Sequence, residues 1–435
     1  MSKDLLKDFV KILKIVDSGE GLAQENGKYF LVPYVLEGEE VVIEKKGKKI
    51  ELIEVVHASE KRVVPKCKHF MLCGGCSWQH ISYEEQLQVK QNLLENNFQH
   101  HLNFTIHHKI LFADSFYYRN KMEFSFGTNF KTLDSQEDQA IGMHPKGVYY
   151  KVFQLEECFL QDKETTHIVR AIYQLTHHLK YYDNKQQKGL FKSLLIRQVQ
   201  DQFMIMITVS EYSEEIITIF EHLKKQFPKI TSYYYGINSS LNTSAYNTTS
   251  FFYSGEEYLE EKLHDKTFFV GPKSFFQPNK LLNAQLCEVV KTFVAGQPLL
   301  DLYCGVGTLG IYAESVVLGI EENSEAIFLA KKNALKNHIT ASYIEAKVEN
   351  SIPLLTQYNV QAIVVDPPRE GLKKEVIAFL KEAPIQTLVY VSCHPSTLIR
   401  DLKELLSHYT LETVQGIDQF PQTHHLEVVV KLIKK

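Results

Sequence analysis

Cys393 stands at the end of an apolar run, TLVYVSC over 387–393, and His394-Pro395 opens a turn into an amphipathic stretch. Open α/β sheets keep their chemistry at the ends of parallel strands. A thiol there reads as a nucleophile, whereas a structural cysteine fits anywhere along the run. A second run, AIVVDPP, ends at Asp366, and Pro367-Pro368 stiffen the turn that follows its carboxylate. Upstream, LLDLYCGVGTLG places Gly305, Gly307 and Gly310 between a strand and a helix, a spacing that lets backbone approach a nucleotide-like cofactor. Glu321 ends the next apolar run, where an acid binds ribose hydroxyls. The loop suits a dinucleotide or S-adenosylmethionine. Asp301, just ahead of the glycines, repels pyrophosphate and favours a cationic ligand, hence the methyl donor.

If the runs ending in Asp366 and Cys393 sit at one sheet edge, a donor methyl, a carboxylate and a thiol converge. Carbon 5 of a pyrimidine is too weak a nucleophile to take a methyl group unaided. A thiolate adding to carbon 6 makes carbon 5 enolate-like, which splits one hard step into easier ones. A base must then remove the hydrogen on carbon 5. Glu427, at the start of an apolar strand in FPQTHHLEVVV, is the candidate, with His424 and His425 as rivals. The chemistry needs thiolate, so the surroundings of Cys393 are expected to lower its pKa. Arg369 after Asp366-Pro-Pro stands where amine methyltransferases carry an aromatic residue, which argues against amine methylation.

These residues need a scaffold, and 435 residues are enough for two or three domains. Short apolar runs separated by SGEG, EGE and KGK over 7–62 have the rhythm of a small β-barrel or five-stranded sheet. A Cys- and Gly-rich stretch follows, then a helix over 83–97. Residues 115–265 mix strands with one helix and read as α+β. After about 268, apolar strands alternate with helices, which predicts a parallel sheet covered on both faces. The expected division is 1–62, 63–265 and 266–435. No apolar run reaches the roughly 18 residues that span a bilayer, and the N-terminus MSKDLLKDF lacks a signal-peptide core. A cytoplasmic protein is expected. The net charge of −4 means that any nucleic-acid contact must come from local basic patches.

Together, LLDLYCGVGTLG, VVDPPREGL, VSCHPSTLIRDL and FPQTHHLEVVV resemble the RNA uracil-5-methyltransferases. GPKSFFQPN, YYRNKMEFSFG and SLLIRQV extend the resemblance over most of the chain. The resemblance implies a Rossmann-like catalytic domain, Cys393 as nucleophile and Glu427 as base. It places Gln277, Tyr303, Glu321 and Asp366 around donor and uracil. Thr308 departs from the family pattern, where many bacterial members carry Asn. Region 7–62 resembles the TRAM domain, an OB-like RNA-binding barrel, with KKGKK at 45–49 and SEKRVVPK as sources of phosphate contacts.

Four cysteines remain chemically suggestive in a chain too large to need a disulfide framework. Cys67, Cys73 and Cys76 form a C-x5-C-x2-C run, and Cys158 lies far off. Such a set ligates a cubane iron–sulfur cluster or a tetrahedral zinc. The C-x5-C-G-G-C pattern resembles the 4Fe-4S site of the family members that modify ribosomal RNA, which makes a structural cluster the expectation. Cys287 and Cys304 are read as core. The expected activity is S-adenosylmethionine-dependent 5-methyluridine formation in 23S rRNA by a monomer, with no membrane partner. A tRNA uridine is the alternative substrate, and a catalytically dead RNA-binding or assembly factor the alternative class. Cytosine-5 methylation is disfavoured because DPPRE has no second cysteine, and a nicotinamide oxidoreductase ranks last.

Overall fold

The computed structural model describes residues 7–47, 49–130, 138–245 and 248–435. The first six residues of the N-terminal segment and Lys48 of KKGKK lie outside the described residues. Strands β1 (Lys7–Ile15), β2 (Gly21–Glu25), β3 (Lys28–Val32), β4 (Glu40–Lys46) and β5 (Lys49–His57) form an antiparallel sheet ordered β3-β2-β1-β4-β5. The period-2 alternation turns Val10, Ile12, Ala23, Val32, Val41 and Ile43 into one buried cluster. The outer strands β3 and β5 also approach each other, so the sheet curls on itself. The described lysines of KKGKK sit in ion pairs. Lys45 pairs with Asp8 and Glu25, Lys46 with Glu44 and Glu51, and Lys49 with Glu51. Their charge is shared with local carboxylates, while Lys46 and Lys49 remain exposed.

Helix α1 runs Tyr83–Leu102, five residues past its expected end. Ser82 caps it by accepting from the Glu85 N–H, and it stops where Asn103 adopts left-handed geometry at φ 51°. Asn97 could not end it, because the next residue, Phe98, is fully buried against the core of the C-terminal sheet and holds the chain helical.

The middle of the chain builds a second sheet from β6 (Lys121–Thr128), β7 (Gln139–Met143), β8 (Phe153–Gln154), β9 (Phe191–Val199), β10 (Gln202–Val209), β11 (Ile230–Ile237) and β12 (Thr249–Gly255). Helices α2 (Lys163–Thr176) and α3 (Glu215–Gln226) cover one face. The other face sends Leu195, Met204 and Met206 into a core shared with Leu299, Val364 and Val389 of the C-terminal sheet. A hairpin, β13 (Leu259–Leu263) and β14 (Lys266–Val270), spans the expected 265/266 boundary.

After helix α4 (Asn283–Val294) comes the strand–helix alternation seen in the sequence: β15 (Leu299–Leu302), α5 (Thr308–Ala313), β16 (Val316–Glu321), α6 (Ser324–Lys336), β17 (Ser342–Glu345), α7 (Val348–Leu355), β18 (Ala362–Val365), α8 (Lys374–Glu382), β19 (Thr387–Ser392), α9 (Pro395–Leu405), β20 (Tyr409–Ile417) and β21 (Glu427–Lys434). The strand order is β17-β16-β15-β18-β19-β21-β20. Asn333 of α6 and its C-cap Asn337 accept the backbone N–H groups of Phe269 and Thr267, which docks the β13–β14 hairpin on this unit. The sheet is Rossmann-like but not wholly parallel, because β21 runs against β19. Strand order reverses between β15 and β18, which opens a crevice at their carboxyl ends.

Candidate active site

Register alone brings most of the expected residues to that crevice. Leu302 of β15 lies beside Ile320 of β16 and Val365 of β18, so Tyr303, Glu321 and Asp366 emerge side by side. Val365 in turn pairs with Tyr390 of β19, which carries Cys393 just past its end. The reversed strand supplies the last member. Ser392 pairs with Val428 of β21, and one step further along this antiparallel register sets Cys393 opposite Glu427. A parallel β21 would have started at the far edge of the sheet.

Gln277, Tyr303, Gly305, Glu321, Asp366, Arg369, Cys393 and Glu427 line one cavity of about 790 Å3. Its glycine loop is shaped by left-handed backbone at Tyr303, Gly305 and Gly307, with φ of 64°, 54° and 80°. A side chain at Gly307 would come within 2.8 Å of Ile311. Glu321 braces the loop by accepting the Gly305 N–H at 3.2 Å, while its other oxygen accepts from Asn323 at 2.9 Å. Gln277 Nε2 donates to Asp366 Oδ2 at 3.2 Å. The Gln277 carbonyl is itself held by the side-chain amides of Asn120 and Asn283, at 2.8 and 3.1 Å. The DPPREG turn is fixed from below, where Asp401 accepts from the Leu372 N–H at 2.8 Å and the Tyr390 hydroxyl at 2.7 Å. Gly371, at φ 77°, leaves only 2.5 Å between a would-be Cβ and that carboxylate.

The electrostatics differ from the sequence expectation in one central respect. Burial first, then Glu427 and Asp366, push the Cys393 thiol up to about 11, although Arg369 opposes this through a hydrogen bond and its charge. The expected lowering does not occur, because two carboxylates and a desolvated wall outweigh one guanidinium. Burial raises Asp366 to about 7, and burial with Asp366 beside it raises Glu427 well above the carboxylate range. Two buried carboxyls facing each other cannot both ionise cheaply, so the pair keeps a proton near neutral pH.

Asp301 plays a different part from the one expected. It is buried and accepts the Gly310 N–H at 3.0 Å, tying β15 to α5 beneath the loop. His424 and His425 line a neighbouring cavity, so of the three candidate bases only Glu427 shares the cavity of the thiol. Cys287 and Cys304 are buried, as expected. Sequence reading had assigned no site role to Arg119 and Lys121, which line the cavity from the middle sheet, or to Arg369 as the partner of Cys393. The basic pair in YYRNKMEFSF was visible, but nothing in one sequence says that β6 faces the crevice.

Cys67, Cys73, Cys76 and Cys158 line a second cavity, of about 190 Å3. Gly75 N–H and Gln79 Nε2 point at the Cys73 and Cys76 sulfurs, at 3.4 and 3.2 Å. Burial raises all four thiols, and each lies near enough to another for its charge to be felt. Among the described residues, no three His, Cys, Asp or Glu side chains are grouped so as to hold a single metal ion. Among them, too, no helix is long and apolar enough to cross a membrane.

Comparison with known proteins agrees with this layout. The model of the tRNA (uracil-5-)-methyltransferase family matches residues 82–435. An RNA methyltransferase of Bacteroides thetaiotaomicron is 33% identical, covering 95% of this chain and 98% of its own. One of Bacillus cereus is 30% identical, covering 98% and 96%. Among solved structures, the tRNA (uracil-54, C5)-methyltransferase of Pyrococcus abyssi with S-adenosyl-L-homocysteine superposes with a TM-score of 0.79 at 26% identity, over 98% of this chain and 100% of that one.

Proposed function

This chain belongs to the tRNA (uracil-5-)-methyltransferase family, and from that premise we propose that Cys393 is the nucleophile of methyl transfer from S-adenosylmethionine to carbon 5 of a uridine in 23S rRNA. The observation that carries this reading is the antiparallel register that sets Cys393 opposite Glu427, with Asp366 on the adjoining strand end. The target uridine leaves its stack and enters the cavity. The Cys393 proton is lost to solvent, with Arg369 favouring the thiolate. A sulfur–carbon bond forms at carbon 6, while Asp366 and Gln277 orient the ring. The bound sulfonium supplies an electrophilic methyl group, held against Tyr303, Glu321 and the glycine loop. With the proton of the buried pair on Asp366, the ionised Glu427 takes the hydrogen from carbon 5, the sulfur–carbon bond breaks, and 5-methyluridine departs with the net release of one proton. A catalytically dead factor would have no need for this complete set.

We assign Cys67, Cys73, Cys76 and Cys158 to a 4Fe-4S cluster. Support comes from four thiols on one cavity with N–H groups directed at two sulfurs. Among the described residues the four thiols are not drawn together about one point, so the choice of cluster over tetrahedral zinc rests on the C-x5-C-x2-C spacing with a remote fourth cysteine. The cluster's role would be structural, since methyl transfer needs no electron. The curled N-terminal sheet is assigned as a TRAM-like RNA-binding unit over 1–62, followed by a middle domain over 63–265 and the catalytic domain over 266–435.

The cysteine set and the N-terminal unit favour rRNA, by resemblance to the members that modify it. The Pyrococcus abyssi neighbour, which covers nearly the whole chain, favours a tRNA uridine as the second reading. Incubation with methyl-labelled S-adenosylmethionine and either 23S rRNA or tRNA, followed by nucleoside mass spectrometry, separates them. Labelled 5-methyluridine in 23S rRNA alone is expected. Label in tRNA alone selects the second reading, and label in neither ends both.

A further inference from the structure

A third cavity, of about 280 Å3, lies where the turn after β1, helix α1, the start of α9 and the loop before β21 meet. Ser18, Asn97, His394, His424 and His425 line it, with Lys90 at its floor. We propose that this cavity receives the base of the nucleotide next to the target uridine. The proposal deepens the functional reading above and rests on it.

Position is the first argument. His394 follows Cys393 and Leu426 precedes Glu427, so one pair of backbone segments walls the catalytic cavity on one side and this cavity on the other. Arg369 lines the catalytic cavity, yet its charge reaches His394's neighbours His424 and His425. A guanidinium that lines one pocket and whose charge reaches the other suits the phosphodiester that links a flipped uridine to its neighbour. The outer wall comes from the N-terminal sheet through Asp17 and Ser18, so a strand bridging that unit and the active site would cross here.

Chemistry selects a base over a phosphate. The Lys90 ammonium is consumed by Asp418 at 2.6 Å, both side chains being buried. Burial and nearby cations hold His424 down to about 4 and His425 to about 3, so both rings are neutral. Asp17, which accepts from Asn97 at 3.0 Å, adds negative charge to the rim. Among the described residues lining the cavity, none offers an unpaired positive charge to an anion. Instead, the His424 and His425 rings, with centroids 4.1 Å apart, stand beside Leu93, Leu94 and Pro395, with a few hydroxyl, amide and imidazole groups between them. The two rings are tilted by 43°, so one ring face with the aliphatic side chains, and not the pair, would stack on a base; ring faces with sparse hydrogen-bonding groups are how proteins hold unstacked bases. The volume lies at the lower limit for small-molecule sites, which fits one base and not a whole cofactor.

The test uses the full chain and a short RNA that it binds, with an abasic residue placed one position to either side of each uridine in turn. Binding is measured by fluorescence anisotropy in a Cys393→Ala background, so the comparison does not depend on the methyl-transfer reading. For one uridine, one of its two flanking abasic RNAs should bind about tenfold more weakly than intact RNA, within the range for loss of one stacked base. Asn97→Trp fills the cavity from α1 and Ser396→Trp from α9. Each should weaken intact RNA by a similar factor and abolish the difference between intact and abasic RNA. Abasic RNAs that all bind like intact RNA overturn the proposal, as does an abasic penalty that persists undiminished in both filled variants. Loss of methylation by the unmodified chain, with this binding pattern intact, would instead overturn only the reaction.

Discussion

Gln86 and Gln422 hold each other amide to amide: Gln86 Nε2 donates to Gln422 Oε1 at 3.1 Å, and the Gln422 N–H donates to Gln86 Oε1 at 3.0 Å. Gln422 stands in left-handed geometry at φ 67°, five residues before Glu427. Its carbonyl accepts the N–H groups of Ser77 and Trp78, which directly follow Cys76. Helix α1, the cysteine loop and the loop that delivers Glu427 are therefore one hydrogen-bonded unit. Gln86→Leu removes donors from the Trp78 and Ile81 carbonyls as well. It should cost about 2 kcal/mol of stability and lower kcat more than it raises KM, measured by urea unfolding and methylation kinetics.

The buried pair Lys90–Asp418 ties the same helix to the end of β20. Among the described residues, Lys90→Met leaves the Asp418 carboxylate to the Tyr83 hydroxyl, at 2.9 Å. Breaking one side of a buried pair costs about 3–5 kcal/mol, so the midpoint of denaturant unfolding should fall clearly. Lys90→Met with Asp418→Asn should recover part of the loss, because no charge is then stranded.

The cysteine cavity predicts its contents. Protein purified without oxygen should carry about four irons per chain and a broad visible absorbance that reductant bleaches. Cys76→Ser should lose most of both and, through Ser77 and Gln422, lower activity as well. Stoichiometric zinc in place of iron would contradict the assignment.

Cys393 titrates high in the free protein, so its reactivity should depend steeply on pH. Its thiol lies at about 11, and the thiolate fraction rises about tenfold per pH unit well below that value. Alkylation by iodoacetamide, followed at the Cys393 peptide by mass spectrometry, should climb from pH 7 to 9 without a plateau. Arg369→Ala should slow it at every pH, since the guanidinium is the group that favours thiolate. A plateau below pH 8 would mean that the thiol is ionised before RNA arrives.

Much of the site was legible because strand ends are local events. The runs ending at Asp366 and Cys393, the glycine loop before α5 and the acid at Glu321 all declare themselves within a dozen residues. What stayed hidden depends on partners distant in sequence. The reversal of β21 comes from pairing across the sheet, yet it decides that Glu427 and not His424 or His425 meets the thiol. Asp301 looked like a ligand group because the helix N–H that claims it, on Gly310, is unseen in a linear reading. The lysines of β4 and β5 looked free until Asp8, Glu25, Glu44 and Glu51 folded around them. The Cys393 thiol was expected low from the chemistry it must do, whereas its free-state value reflects the burial around it.

The most direct test of covalent methyl transfer is to stop it after the bond to carbon 6 has formed. Glu427→Gln, mixed with S-adenosylmethionine and substrate RNA and then denatured, should give a protein–RNA adduct that migrates as one band, with the RNA joined to the Cys393 peptide. The same variant carrying Cys393→Ala should give none. Full turnover by Glu427→Gln with no trapped adduct, or an adduct that survives loss of Cys393, would contradict the account.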